Sequence, residues 1–336
     1  MGPRNKPADE EKLLQINSIF REIETIYDAG TPIFTKDNMR KVGEELRHFQ
    51  KGERNDGGNI IMRGVNGVDY EVFIRPPGRR PSRENEHVRG PSWVIRYYSV
   101  KDLTCFKHPD IELFDLQSAY LPMRICSIVR VLYNIDKNPL YTKPPAPPEE
   151  DLSTYQTIEK QWTTSEHYTQ IHEMLAKIEI PFPLTKIIAV ALGPLIVNSQ
   201  VIQCRVFQHS LVSALYSTLV RRGTLSVSSK PYIQDPAYAQ RDRDILCSAK
   251  FIVLDDPQAW LKINESSVLV CINADIPVRD IVADIGRPAL IIWDRNQDSL
   301  NTTPRVKAMI ENEYSETEFP YHECFGDLVM LIKKST

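Results

Sequence analysis

Apolar residues in the second half of the chain fall in short runs, and an acidic, amide or glycine position closes each one. KIIAVALG stops at Gly193, PYIQD at Asp235, KFIVLDD at Asp255 and Asp256, VLVCIN at Asn273, and ALIIWD at Asp294. Helical patterns separate most of these runs. Short apolar strands alternating with helices describe a parallel sheet buried on both faces and joined by right-handed crossovers. The expected order is strand 186–192, helix 201–222, strand 231–234, helix 237–247, strands 250–254 and 268–272, helix 277–285 and strand 289–293. A helix near 304–313 and a last helix or strand near 325–333 complete the chain. Ligands collect outside the carboxyl ends of such strands, which is where the polar residues fall.

The first half follows a different rhythm. Leu13, Ile16, Ile19, Phe20, Ile23 and Ile26 form one face of an amphipathic helix that Gly30 ends, and Thr35 can cap a second helix running to about Phe49. The stretch from Ile60 to Arg75 reads as a β-hairpin with Asn66-Gly67 in its turn. A basic, proline-broken loop follows, then the strand-like WVIRYY, and Leu116 to Tyr133 reads as a strand–helix pair. KNPLYTKPPAPPEEDL is the clearest linker, and one amphipathic helix is expected from Thr154 to Lys177. The fold class is therefore α/β: a Rossmann-like, mostly parallel sheet with helices on both faces, plus an N-terminal α+β extension. The boundary falls near residue 145, giving an extension over 1–145 and the Rossmann-like domain over 146–336.

Composition changes this picture little. Hydrophobic residues make up 42% and charged residues 25% of 336, with a net charge of −3. Such a balance suits a soluble globular protein and gives no general attraction to DNA or a membrane surface. No apolar run approaches the roughly 18 residues of a membrane span, and a cytoplasmic setting is the expectation. The six cysteines are scattered without metal-ligand spacing, so neither a metal site nor a disulfide framework is expected; Cys126, Cys204, Cys247 and Cys271 read as small core residues. No GxGxxG follows the first strand, and GxxxxGK[ST] and GxSxG are absent. No cofactor is expected.

Asp255 and Asp256 are the foremost candidates for chemistry. Two adjacent carboxylates at a strand end call for a cation, because like charge disfavours ionising both; the plainer role is capping a helix that starts at Pro257. Asp235-Pro236 repeats the arrangement. Asn273 could offer an amide to a ligand or simply form a turn, and Asp294 suits a turn or salt bridge. Gln208 and His209 lie on the helix after the first strand, where a histidine facing the cleft could relay a proton and one facing inward would be a hydrogen-bonded core residue. Arg79, Arg80 and Arg83, in the basic loop, could contact RNA phosphates or remain solvated.

Several separated segments together resemble the sensitivity-to-red-light-reduced-like domain in its fungal form. They are KIIAVALG, RVFQHSLVSALYSTL, QDPAYAQRDRDIL, VLDDPQAWLKI, PVRDIVADIGRPALIIWD and FGDLVMLIKK, spanning about 155–334. The resemblance implies a Rossmann-like domain and a regulatory or scaffold role. It extends to the fungal arginine-containing cyclodipeptide synthases, which use arginyl-tRNA and a second aminoacyl-tRNA to form a diketopiperazine and carry a DDxxE motif. Here the aspartates match and Ala259 stands at the glutamate position. On that reading the chain is a tRNA-dependent aminoacyltransferase of fungal secondary metabolism. Asp255, Asp256 and His209 would be catalytic, Asp235, Asn273 and Gln208 would bind substrate, and Arg79, Arg80 and Arg83 would contact the tRNA. Ser199, Ser210 and Cys271 are open as nucleophiles.

Overall fold

A computed structural model describes residues 6–54, 57–75, 88–105, 115–131, 148–197, 200–295 and 302–335. The chain divides into two compact units, one comprising residues 1–79 and 91–128 and the other residues 80–90 and 129–336. The linker boundary near 145, the three arginines of the basic loop and Ser199 lie outside the described residues.

The first unit begins with helices α1 (Lys6–Asp28) and α2 (Lys36–Gln50). Thr35 Oγ1 accepts the Asn38 N–H at 3.2 Å and caps α2 as its position predicts. Met39, Val42, Leu46 and Phe49 then fall on one buried stripe. Strands β1 (Gly58–Arg63) and β2 (Asp69–Ile74) form the antiparallel hairpin around Asn66 and Gly67. Strand β3 (Val88–Tyr97) leads to the short helix α3 (Val100–Leu103) and pairs with β4 (Met123–Val131). The stretch expected to be a strand–helix pair is thus a single 3₁₀ turn at Ser118–Tyr120 followed by a strand.

The second unit opens with α4 (Pro148–Thr163) and α5 (Glu166–Lys177). One continuous helix was expected here; Ser165 breaks it by capping α5, its Oγ accepting the Tyr168 N–H at 3.1 Å. The sheet begins with β5 (Lys186–Val190), then the small hairpin β6 (Ile196–Val197) and β7 (Gln200–Val201), and the long helix α6 (Gln203–Arg221). Strand β8 (Tyr232–Gln234), helix α7 (Gln240–Ser248), strand β9 (Ile252–Val253) and helix α8 (Gln258–Lys262) follow. The remainder is β10 (Ser267–Cys271), α9 (Val278–Ile285), β11 (Leu290–Asp294), α10 (Pro304–Glu313), β12 (Tyr314–Glu318) and β13 (Leu328–Lys333).

These strands form one seven-stranded sheet in the order β12-β13-β11-β10-β5-β8-β9. Strands β5, β8, β9, β10 and β11 are mutually parallel, β13 runs antiparallel to β11, and β12 antiparallel to β13. The fold is α/β and Rossmann-like. Every residue of β10 is buried, and only the ends of β5 and β11 are partly open, which is why their sequences read as unbroken apolar runs. From β5 the chain steps outward to β8 and β9, then returns across the sheet to β10. The reversal puts a topological switch point between β5 and β10. Helices α6 and α7 both pack against α4, as right-handed crossovers stepping in one direction require.

Candidate functional site

The loop leaving β5 runs into the switch point. Ala191 and Gly193 both adopt positive φ, at 55° and 76°. A Cβ on Gly193 would lie 2.6 Å from the Arg205 guanidinium carbon, so glycine is required for the close approach as well as the backbone angle. Arg205, in the first turn of α6, donates from Nη1 to the Leu192 carbonyl at 2.9 Å and to Gln208 Oε1 at 3.1 Å. Gln208 in turn donates from Nε2 to the Cys324 carbonyl at 2.7 Å. Gln208 therefore belongs to a buried relay between α6, the β5 loop and the loop before β13.

Asp235 lies directly beyond β8 and is only 8% exposed. Its carboxylate accepts the Gly193 N–H at 2.7 Å through one oxygen and the Ala237 N–H at 2.7 Å through the other. It latches the β5 loop to the β8 turn instead of capping α7. The carboxylate at that helix is Asp242, fully buried, which accepts the Ala239 and Ile196 N–H groups at 2.7 and 2.9 Å. Asp242 escaped sequence reasoning because it reads as one charge of the polar run QRDRD.

On the other side of the switch point, Asn273 ends β10 at φ 52°. Its N–H donates to both Asp294 carboxylate oxygens, at 2.9 and 3.1 Å, while the residue itself is exposed. Burial raises the Asp294 pKa above the usual carboxylate range. Arg279 lies over the Trp293 ring at 5.0 Å and donates to the Asp294 carbonyl. Cys271 is buried beside these groups, and burial pushes its thiol pKa far up, which removes it as a ready nucleophile.

The aspartate pair divides. Asp255 is 60% exposed at its side chain and accepts from Arg243 Nη2 at 2.7 Å. Asp256 is buried and takes the Gln234 Nε2 amide at 2.9 Å, while Gln234 Oε1 accepts the Ala259 N–H at 2.7 Å. The helix-capping role expected of Asp256 is not what forms, because Pro257 stands at the N-cap of α8 with no side-chain cap bond. The cation that the pair calls for is met at Asp255 by the protein's own Arg243 guanidinium.

His209 takes the inward-facing alternative. It is fully buried, with Nδ1 2.6 Å from the Arg205 carbonyl and Nε2 2.9 Å from the Tyr238 hydroxyl. A carbonyl only accepts, so Nδ1 carries the proton and Nε2 accepts from Tyr238. Burial depresses the His209 pKa to about 4 and raises that of Tyr238, so both stay neutral at physiological pH. A proton relay near neutrality is not available from this position. Ser210 is likewise buried within α6.

The cysteine expectation also changes, because Cys204 and Cys324 form a disulfide with Cα atoms 4.7 Å apart. Their separation of 120 residues concealed the pairing in the sequence. Beside it, Trp162, Phe207, His322 and Phe325 form an aromatic cluster, with Trp162 and Phe325 edge-on at 5.3 Å. A cavity of roughly 180 Å³ lies elsewhere, walled by α4 and α7 and crossed by the Asp151–Arg241 ion pair. Among the described residues, no group of three or more His, Cys, Asp or Glu side chains is placed to hold a metal ion. None of the described helices is long and apolar enough to cross a membrane.

Residues 170–330 match the SRR1 domain, named for sensitivity to red light reduced. The match spans the sheet from before β5 into β13 and includes every residue of the switch-point site. No curated protein matches the chain. Among solved structures, the chain is similar to a crystal structure of a Thermoplasma acidophilum protein at 8% identity and a TM-score of 0.26, covering 51% of this chain and 100% of the other. That likeness is too loose to carry an argument.

Proposed function

We propose that the SRR1 domain of this chain is a non-catalytic regulatory module that binds a small polar ligand at the switch point of its sheet. The observation that supports this reading is the engagement of the residues chemistry would need. Asp255 is paired with Arg243, Asp256 with Gln234, Asp235 with two backbone N–H groups, and His209 with Arg205 and Tyr238. A general base must reach the proton it removes and titrate near the working pH; His209 satisfies neither condition. The rim around Gly193, Arg205, Asn273 and Asp294 instead offers a fixed set of polar groups outside the strand ends. Expression in a bacterial host followed by mass spectrometry of the extract tests the reading. The expected result is soluble protein without any arginine-containing diketopiperazine, and accumulation of such a product would overturn it.

One observation favours a second reading, the transfer of arginine from arginyl-tRNA into a cyclodipeptide. Arg243 on Asp255 is a guanidinium–carboxylate contact at the rim, the kind of contact a substrate arginine would need. If Arg243 stands where that side chain docks, removing it by Arg243→Ala should let free L-arginine bind through Asp255, as read by calorimetry. Lack of binding by that variant, together with an extract free of product, eliminates the transferase reading.

A further inference from the structure

The disulfide stands one residue from the switch-point site. Cys204 and Arg205 are neighbours in the first turn of α6, and Cys324 lies in the loop before β13. The Cys324 carbonyl accepts from Gln208, Gln208 accepts from Arg205, and Arg205 braces the Leu192–Gly193 loop. Gly193 then donates to Asp235. A continuous set of contacts thus runs from one sulfur–sulfur bond to the loop that borders the switch point.

Two further features set this bond apart from a structural staple. Cys105, Cys126, Cys247 and Cys271 are free thiols, so the chain is not built on a disulfide framework. In a reducing cytosol, the setting expected from the sequence, a disulfide is usually transient, catalytic or redox-sensing. The partners also differ in access: Cys204 is partly exposed while Cys324 is buried. An incoming thiolate can therefore reach one sulfur and expel the other.

We propose that the Cys204–Cys324 pair is a redox switch that sets the brace of Arg205 on the β5 loop. In the reducing direction, a thiolate of a dithiol reductant attacks the Cys204 sulfur, the protein disulfide breaks, and Cys324 leaves as a thiolate that takes up a proton. The second thiol of the reductant resolves the mixed disulfide, leaving Cys204 reduced and the reductant as its own disulfide. Two electrons pass to the protein, and the reverse sequence begins with Cys204 attacking an oxidised dithiol. Opening the bond releases the loop bearing Cys324 from α6, and the carbonyl that positions Gln208 moves with it.

The full-length protein is equilibrated with reduced and oxidised dithiothreitol at varied ratios, and its thiols are trapped by alkylation after denaturation. The expected counts are four thiols in the oxidised state and six in the reduced state, consistent with the four free cysteines and one bond. Amide hydrogen exchange is then compared between the two states. Reduction should speed exchange both in residues 319–327 and in residues 191–195, the latter by about tenfold, within the usual range for coupled sites. Gln208→Leu should keep the response at 319–327 and lose it at 191–195. A double variant, Cys204→Ser with Cys324→Ser, should behave as reduced protein under both conditions. If that variant does not fold, the wild-type comparison decides alone. An unchanged 191–195 segment on reduction, or failure of the bond to form in any buffer, overturns the proposal.

Discussion

Asp235-Pro236 and Asp256-Pro257 look alike in the sequence, each a carboxylate and proline after a short apolar strand, yet the fold uses them differently. Asp235 faces the switch point, is nearly buried, and spends both oxygens on backbone N–H groups of two separate loops. Asp256 lies one strand farther out, held by the amide of Gln234, and leaves its neighbour Asp255 to a surface pair with Arg243. Distance from the switch point explains the difference. Strand β8 has neighbours on both sides, so its terminal carboxylate meets the backbone of the β5 loop. Strand β9 is the edge of the sheet, so the carboxylates beyond it meet side chains and solvent. Asp235 and Asp256 are equally buried, so what differs is the partner. Near the centre of the sheet the strand-end carboxylate latches backbone, and at the margin Asp256 holds a side-chain amide while Asp255 is left as a surface charge.

Removing the central latch should produce the largest effect. Asp235→Ala leaves the partly buried Gly193 and Ala237 N–H groups without this acceptor, and each such loss costs about 1–3 kcal/mol. A destabilisation of about 4 kcal/mol in urea unfolding is expected. Asp235→Asn keeps one acceptor oxygen and should lose about half as much. Equal, small effects at Asp235 and Asp255 would erase the distinction between centre and margin.

Protons probe the same contrast. His209 lies beneath the switch point with its pKa depressed to about 4 by burial. The folded state therefore binds fewer protons than the unfolded chain, where histidine titrates near 6.5. The stability contributed by neutral His209 is fully present above that pH and is lost as pH falls toward 4. The expected loss across this window is on the order of 3 kcal/mol. Stability measured from pH 7 to pH 4 should fall steeply in the wild type and more gently in His209→Gln. Parallel curves for the two proteins would show that His209 does not carry the acid sensitivity.

The strand order was legible where burial was complete and obscure where it was not. Strands β5, β10 and β11 are apolar along nearly their whole length because both faces are covered, and that pattern survives in one dimension. Strand β12 reads YSETE, since an edge strand with three exposed positions has no such constraint, and its apolar signal is absent. The helix break at Ser165 depended on one capping hydroxyl within a helix-compatible stretch. Site positions could be found from strand ends, but their partners could not. Gly193 meets Arg205 across a hairpin, Asp294 meets Asn273 across two strands, and Gln208 meets a carbonyl 116 residues away. Such pairings depend on the folded path, and the residue types alone do not encode them.

Gly193→Ala should have an intermediate effect on the central loop. The new methyl would enter a position of φ 76° and meet the Arg205 guanidinium at 2.6 Å. Left-handed backbone costs a non-glycine residue about 1–2 kcal/mol, and displacing Arg205 from the Leu192 carbonyl adds to it. A loss of about 2 kcal/mol is expected, together with faster amide exchange at residues 191–195. A variant as stable as wild type, with the loop unchanged, would mean that the glycine is not needed for the brace.

The smallest effect belongs to the margin. Asp255→Asn removes a carboxylate whose side chain is 60% exposed and which pairs with the Arg243 guanidinium, itself 30% exposed. Solvent screens such a pair, and exposed pairs contribute about 0–1 kcal/mol. The unfolding free energy should therefore change by no more than about 0.5 kcal/mol. Because stability is nearly silent at this position, function can be read cleanly from it. If the regulatory reading holds, Asp255→Asn leaves ligand binding at the switch point intact. A folded variant that loses a measurable arginine-dependent activity would instead move the working site out to the sheet edge, making the exposed carboxylate the functional one and Asp235 only its structural neighbour.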